Sequence, residues 1–230
     1  DVAELFERRG RQRRQKWMGR LGNPVALRVP LIDPDRLLGR CVLALRPLGE
    51  PAGVMLWLVV VSPALLLATA HAPELTRNFS EQWLGAGNLV LLALLFPLVK
   101  ALHEAGHGMA CKARGGEVHE AGLMLLAFYP VPYVDVSNTS ALAGKWQRAL
   151  VGAAGMLAEL WVAGLAFYLW LALEPGLARS IAYNVAVLAS VTTLFFNANP
   201  LLRYDGYYIL ADVIEIPNLA QRAGRQWQYW

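Results

Sequence analysis

Charge is scarce in this chain, and cysteine scarcer. Asp, Glu, Lys and Arg make up 17% of 230 residues, against 56% hydrophobic residues, a balance too apolar for an ordinary soluble domain. Residues 51–73 contain no Lys, Arg, Asp or Glu. That excludes a solvated surface along the stretch and makes lipid part of the expected solvent. Two cysteines occur, Cys41 and Cys111, neither at C-x-x-C spacing, which excludes a paired thiolate metal site and says nothing of redox compartment. Internal repeats and low-complexity tracts are absent. No short apolar run follows a basic start within the first thirty residues, so no cleavable signal peptide is expected. The chain begins at Asp1 and stops at Trp230 within an amphipathic stretch, and is expected to continue in a longer protein.

What charge there is clusters. Residues 1–50 hold eleven Lys and Arg, including Arg8, Arg9, Arg11, Arg13, Arg14 and Lys16. Such a run can mark a nucleic-acid footprint. Placed shortly before apolar spans, it is better explained as a segment drawn to anionic lipid, each charge contributing about 1 kcal/mol near the surface. A lipid bilayer is therefore the expected partner, and no nucleic acid.

A bilayer core of about 30 Å takes about 20 mostly apolar residues per helix. Four such runs occur: residues 51–70, a run from near Trp83 through Val99 and on to His103, residues 148–173 broken only by Glu159, and residues 180–202. The fold class expected is an all-α polytopic membrane protein with about four transmembrane helices, the last three forming a core and the first packing outside it. The loops 71–82 and 174–179 carry one basic residue each, Arg77 and Arg179. Segment 111–148 carries Lys112, Arg114, Lys145 and Arg148, and the tail carries Arg203, Arg222 and Arg225. By the excess of positive charge on the inner side, both termini and the middle loop are cytoplasmic. The expected divisions are a basic cytoplasmic segment (1–50), a first transmembrane helix with its outer loop (51–84), a core (85–215) and a cytoplasmic tail (216–230). Within the middle loop, Gly115 and Gly116 stop a helix, and an apolar stretch broken by Pro130 and Pro132 follows. Too short to span, it is expected to form a re-entrant β-like hairpin between the second and third spans, tolerated only where protein or a wet cavity satisfies its backbone.

In an α-helix positions i and i+4 share a face, so His103 and His107 can present two imidazoles to one metal with Glu104 beside them as a base. The competing reading is coincidence, two of only four histidines falling four apart at a polar helix end. Against it, ionisable residues in a spanning helix are costly and functional by default. A catalytic zinc takes three protein ligands and keeps one position open. The third candidate is Asp205, just beyond the fourth run and on the side of the membrane that holds His103. Alone, Asp205-Gly206 reads as an ordinary turn.

At this point the chain resembles the site-2 proteases, intramembrane zinc metalloproteases with H-E-x-x-H on one membrane helix and N-x-x-P-x-x-x-x-D-G on a later one. His103, Glu104 and His107 match the first pattern; Asn197, Pro200, Asp205 and Gly206 match the second. The resemblance covers roughly residues 85–215, and the joint match is far more specific than either motif. It implies Zn2+ held by His103, His107 and Asp205, with Glu104 as general base in the hydrolysis of membrane-associated or exported peptides. Asn197 then reads as a donor to the developing oxyanion or as a polar contact between helices. Where many members carry Gly-Pro followed by Asn in the third span, this chain has Gly155, Met156 and then Glu159. Glu159 lies about 17 Å into its helix, read either as an auxiliary acid or gate facing the cavity or as a structural hydrogen bond. The stretches 133–137 and 204–208 resemble a bacterial branch called peptide zinc metalloproteases, often joined to or found beside a membrane-fusion adaptor of an export system. That implies the bacterial inner membrane and such an adaptor or export system as partner. In that branch Asp135 lines the site; by its own chemistry it equally caps a turn.

Cys111, one turn beyond His107, is the one nearby candidate for a fourth ligand. His71 and His119 read as solvated, Trp83, Trp146 and Trp170 as interface anchors, and Gly152 and Gly155 as sites of close helix packing. A substrate is expected to unwind and pair as an extended strand with residues 118–135. The competing function is a non-proteolytic membrane scaffold or export accessory with a structural or vestigial metal site, against which Glu104 argues, since a structural zinc has no use for a carboxylate beside its first histidine.

Overall fold

A computed structural model describes residues 26–45, 51–82, 85–126, 128–137, 139, 142–216 and 219–227. The basic run at 8–16 and Trp83 lie outside the described residues. Strand β1 (Ala26–Ile32) leads into helix α1 (Asp35–Leu45). Helices α2 (Pro51–Ala70), α3 (Ala72–Gln82) and α4 (Ala86–Ala113) follow, then strands β2 (Ala121–Leu126) and β3 (Tyr129–Val134). Helices α5 (Lys145–Ala172) and α6 (Leu177–Val191) come next, the latter continuing through a π-helical turn (Thr192–Asn197), before α7 (Asp205–Val213) and α8 (Leu219–Trp227).

The chain is thus mostly helical, and four helices are long and apolar enough to cross a membrane: α2, α4, α5 and the continuous stretch Leu177–Asn197. In α2 only Gly53, Val61 and Ala64 are buried, while Val59 and Leu66 are 66% and 72% exposed. A helix apolar on every side fits lipid, where no polar face is needed.

Helix α5 packs against α2, α4, α6 and α7. Small residues permit this closeness: a Cβ on Gly106 of α4 would stand 2.8 Å from the Ala154 carbonyl oxygen of α5. Polar side chains then bridge the spans, as expected where lipid offers no hydrogen bonds. Trp57 Nε1 donates to the Leu157 carbonyl at 2.9 Å, the Tyr168 hydroxyl to Val60 at 2.7 Å, and Asn88 and Asn184 exchange amide hydrogen bonds between α4 and α6. Trp170 is no interface anchor. It is 2% exposed and packs with Ala64, Phe167 and Tyr183, because it shares a helix face with Ala163, Ala166 and Phe167. Trp146 is 68% exposed.

The expected β-like hairpin is present as antiparallel β2 and β3, but in a three-stranded sheet of order β1-β2-β3. The chain is therefore not purely α, and residues 26–45 of the basic segment supply a strand and a helix. Val29 faces Leu123, which in turn faces Pro132. On β3 the Val134 amide points away from β2, to the Glu104 carboxylate. Residues alternate in direction along a strand, so Pro130 and Pro132 share that outer edge and leave it without N–H groups there, which blunts it against promiscuous pairing. The hairpin runs along α4: Val134 meets Glu104, while the Tyr129 hydroxyl donates to Ala93 at 2.5 Å and its ring meets Phe96. Eleven helical residues separate Ala93 from Glu104, about 16 Å. At the hairpin tip Phe128 is 95% exposed with φ 68°, uncommon for a bulky residue and consistent with a tight turn.

Candidate metal centre

His103 and His107 are buried, at 4% and 6% exposure, one turn apart on α4. The His107 Nδ1 lies 2.8 Å from the Val151 carbonyl oxygen of α5. A carbonyl only accepts, so Nδ1 carries the hydrogen and Nε2 keeps its lone pair free for a metal. Asp205 opens α7, which the chain reaches by folding back from the π-helical turn. Gly206 makes that reversal possible: a Cβ there would stand 2.6 Å from the Ala198 oxygen and 2.9 Å from that of Asn197. The aspartate-glycine pair is thus a local steric necessity as well as part of a motif.

These elements bring three donor atoms together. His103 Nε2 and His107 Nε2 are 2.9 Å apart, and Asp205 Oδ2 is 2.9 Å from the first and 3.5 Å from the second. Ligands of a tetrahedral zinc, bound at about 2.0–2.1 Å, lie about 3.3 Å from one another. Despite this closeness, Asp205 Oδ2 is buried and makes no hydrogen bond, a cost that a cation removes. The wall behind the rings is the backbone of α5 at Gly155, where a Cβ would stand 2.7 Å from His103 Nε2 and closer still to His107 Nε2. Gly155 therefore makes room for the rings, while Gly152 faces Ile209 of α7. Among the described residues, His103, His107 and Asp205 are the group of side chains able to hold a metal, and the donor set suits zinc.

Comparison with known proteins adds a distant likeness. No family model matches the chain, and no solved structure matches it. A Bacillus subtilis (strain 168) protein named "Putative peptide zinc metalloprotease protein YydH" is 23% identical over 179 residues, which cover 77% of this chain and 69% of that protein.

The remaining expected site residues divide in two. Glu104 is half-buried, and its Oε2 accepts the Val134 amide at 3.1 Å. Glu159 has no exposed surface; its Oε1 accepts from Lys100 Nζ at 2.7 Å and lies 3.4 Å from His103 Nδ1. Its Oε2 accepts from Thr192 at 3.3 Å, from Thr193 and from Asn197 Nδ2 at 3.2 Å. The Asn197 amide thus bonds across helices to Glu159. Asp135 is exposed and caps a turn, accepting the Ser137 amide at 3.0 Å. Cys111 is buried in an apolar cluster with Leu38, Val118 and Val151. His71 is not simply solvated, for its Nδ1 lies 2.9 Å from the Leu67 oxygen and its ring meets Phe167 and Trp170 edge-on. His119 is exposed between Asp33 and Glu117, which raise its pKa, Glu117 most strongly.

Sequence reasoning missed Lys100, and with it Thr192 and Thr193. A signal existed: Lys100 and Glu159 are opposite charges in two otherwise apolar runs, and intramembrane charges pair.

Proposed function

We propose that this protein is an intramembrane zinc metalloprotease that hydrolyses peptide bonds of membrane-associated or exported peptides. The observation that carries the proposal is the convergence of His103 and His107 of α4 with Asp205 of α7 beside Glu104, against a backbone cleared of side chain at Gly155. The Bacillus subtilis relative, by its name, supports a metallopeptidase and hence a metal. His103 Nε2, His107 Nε2 and Asp205 Oδ2 would hold the zinc. Zinc, when bound, acts as a Lewis acid that acidifies water and polarises a peptide carbonyl.

The rest of the chemistry falls to the chain's own groups. Glu104 accepts the proton of the attacking water and returns it to the departing amine. The Val134 amide holds one of its oxygens and leaves the other to work. Asn197 spends one N–H on Glu159; an amide nitrogen carries two, and the second serves the developing oxyanion. The substrate lies extended along the outer edge of β3 and donates its N–H groups to the carbonyls of Pro130 and Pro132. The hairpin dips into the membrane beside α4, and Phe128 enters lipid. Lys and Arg near the spans favour a cytoplasmic site and termini in a bacterial inner membrane, with an export-linked adaptor as a natural neighbour.

Metal content measured by mass spectrometry on detergent-purified protein tests the reading. About one zinc per chain is expected, lost in His103→Ala and in Asp205→Ala. Glu104→Gln is expected to keep the zinc and lose cleavage of solubilised single-span peptides by about 10²-fold or more. Absence of metal, or metal indifferent to Asp205, sinks the protease and leaves the scaffold.

A further inference from the structure

We infer that Lys100 and Glu159 are positioning residues of the metal centre: together they hold a carboxylate against the ring nitrogen of His103 that faces away from the metal. The inference rests on the metalloprotease reading and adds to it a requirement for one particular ion pair.

Each histidine that binds a metal through Nε2 needs a partner for its Nδ1–H, which fixes the ring and its tautomer. His107 has the Val151 carbonyl. His103 Nδ1 is buried and makes no hydrogen bond; the group facing it is Glu159 Oε1, 3.4 Å away. The two oxygens of Glu159 are divided between two tasks. Oε2 accepts from Thr192, Thr193 and Asn197, which pins the carboxylate, while Oε1 is left to Lys100 and His103.

Neutralising a buried carboxylate in a spanning helix takes one cation, and Lys100, three residues before His103 on the same face of α4, is that cation. Three further donors on the other oxygen exceed what neutralisation needs. They come from the π-helical turn, whose wider winding brings Thr192, Thr193 and Asn197 to one atom. Such turns inside α-helices occur frequently at functional sites. A carboxylate acceptor raises the basicity of the opposite ring nitrogen and so strengthens the metal bond, and Lys100 keeps the added negative charge from standing alone.

The test is zinc affinity by chelator competition in detergent, the cobalt(II) absorption spectrum of the same variants, and their thermal stability. Glu159→Gln and Lys100→Met are each expected to weaken zinc binding about 10- to 100-fold and to shift the cobalt bands. Lys100→Arg is expected to stay near wild type. Removing one member of a buried pair destabilises a protein, whereas replacing both is often neutral. The double variant Lys100→Met with Glu159→Gln is thus expected to regain stability while its zinc affinity stays low. Recovery of both in the double variant, or wild-type affinity in Glu159→Gln, assigns the pair to structure alone and overturns the inference. Zinc binding in wild type that His103→Ala abolishes, with Glu159→Gln unaffected, leaves the protease standing without it; no zinc in wild type overturns both.

Discussion

Gly155 decides how closely the two histidine rings approach α5, and it does so by lacking a side chain. A methyl group there would overlap both rings, whereas one on Gly164 would meet Ala64 Cβ at 3.5 Å, an ordinary contact. Gly155→Ala is therefore expected to lose about 1–3 kcal/mol through overpacking, with a fall in zinc content. Gly164→Ala keeps its zinc and gains up to about 1 kcal/mol from helix propensity. Chemical denaturation with metal analysis separates the two, and equal behaviour would leave Gly155 no special part. In the sequence Gly155 reads only as a site of close helix packing, as Gly152 does, because a glycine does not announce what fills the space beside it. The placement of His103, Glu104 and His107 on a single helical turn is legible because that geometry is local. Asp205 needs the topology as well. Lys100 is not legible in isolation: a lone lysine in an apolar run reads as a flank, and its partner lies 59 positions away.

The hairpin was readable as two short apolar pieces around prolines, yet its third strand was not. β1 sits in a basic stretch, and it pairs with residues far along the chain; sheet formation is decided by such distant partners more than by local preference. Register now separates two substitutions that look equivalent in sequence. Val131 is directed toward Met124 of β2, so Val131→Pro removes a ladder hydrogen bond worth about 0.5–1.5 kcal/mol and loosens the hairpin itself. Val134→Pro instead takes away the donor that holds Glu104. For the protease proposed above, it is expected to leave about one zinc per chain and to cut peptide cleavage about 10²-fold, the cost of about 1 Å of misplacement at the proposed base. Full cleavage by the Val134 variant would show that Glu104 is held by something other than β3.

The molecule has two distinct ends, and its polar work is concentrated at one of them. Glu74 and Arg179 pair at one end. At the other lie His103, Asp205, and Arg148 bonded to Asp212. The unit formed by β1 and α1 is fastened at this second end, where Asp35 receives both a two-point contact from Lys112 Nζ at 2.6 and 2.7 Å and the Val118 amide at 3.0 Å. Lys112 first, then the Val118 amide, hold the Asp35 carboxyl below its ordinary value of 3.8. A carboxyl lowered on folding stabilises the docked form above its unfolded value, and that contribution fades as pH falls through the lowered one. Asp35→Asn is therefore expected to speed amide exchange across residues 35–45 at pH 7, relative to wild type, with zinc content unchanged. After correction for intrinsic rates, the difference should shrink as the pH drops below 3.8, because the wild-type latch then opens too. Identical exchange at pH 7 would mean that Leu38, buried against Cys111 and Val118, docks α1 by apolar contact alone, and that the N-terminal unit stays in place without the charge.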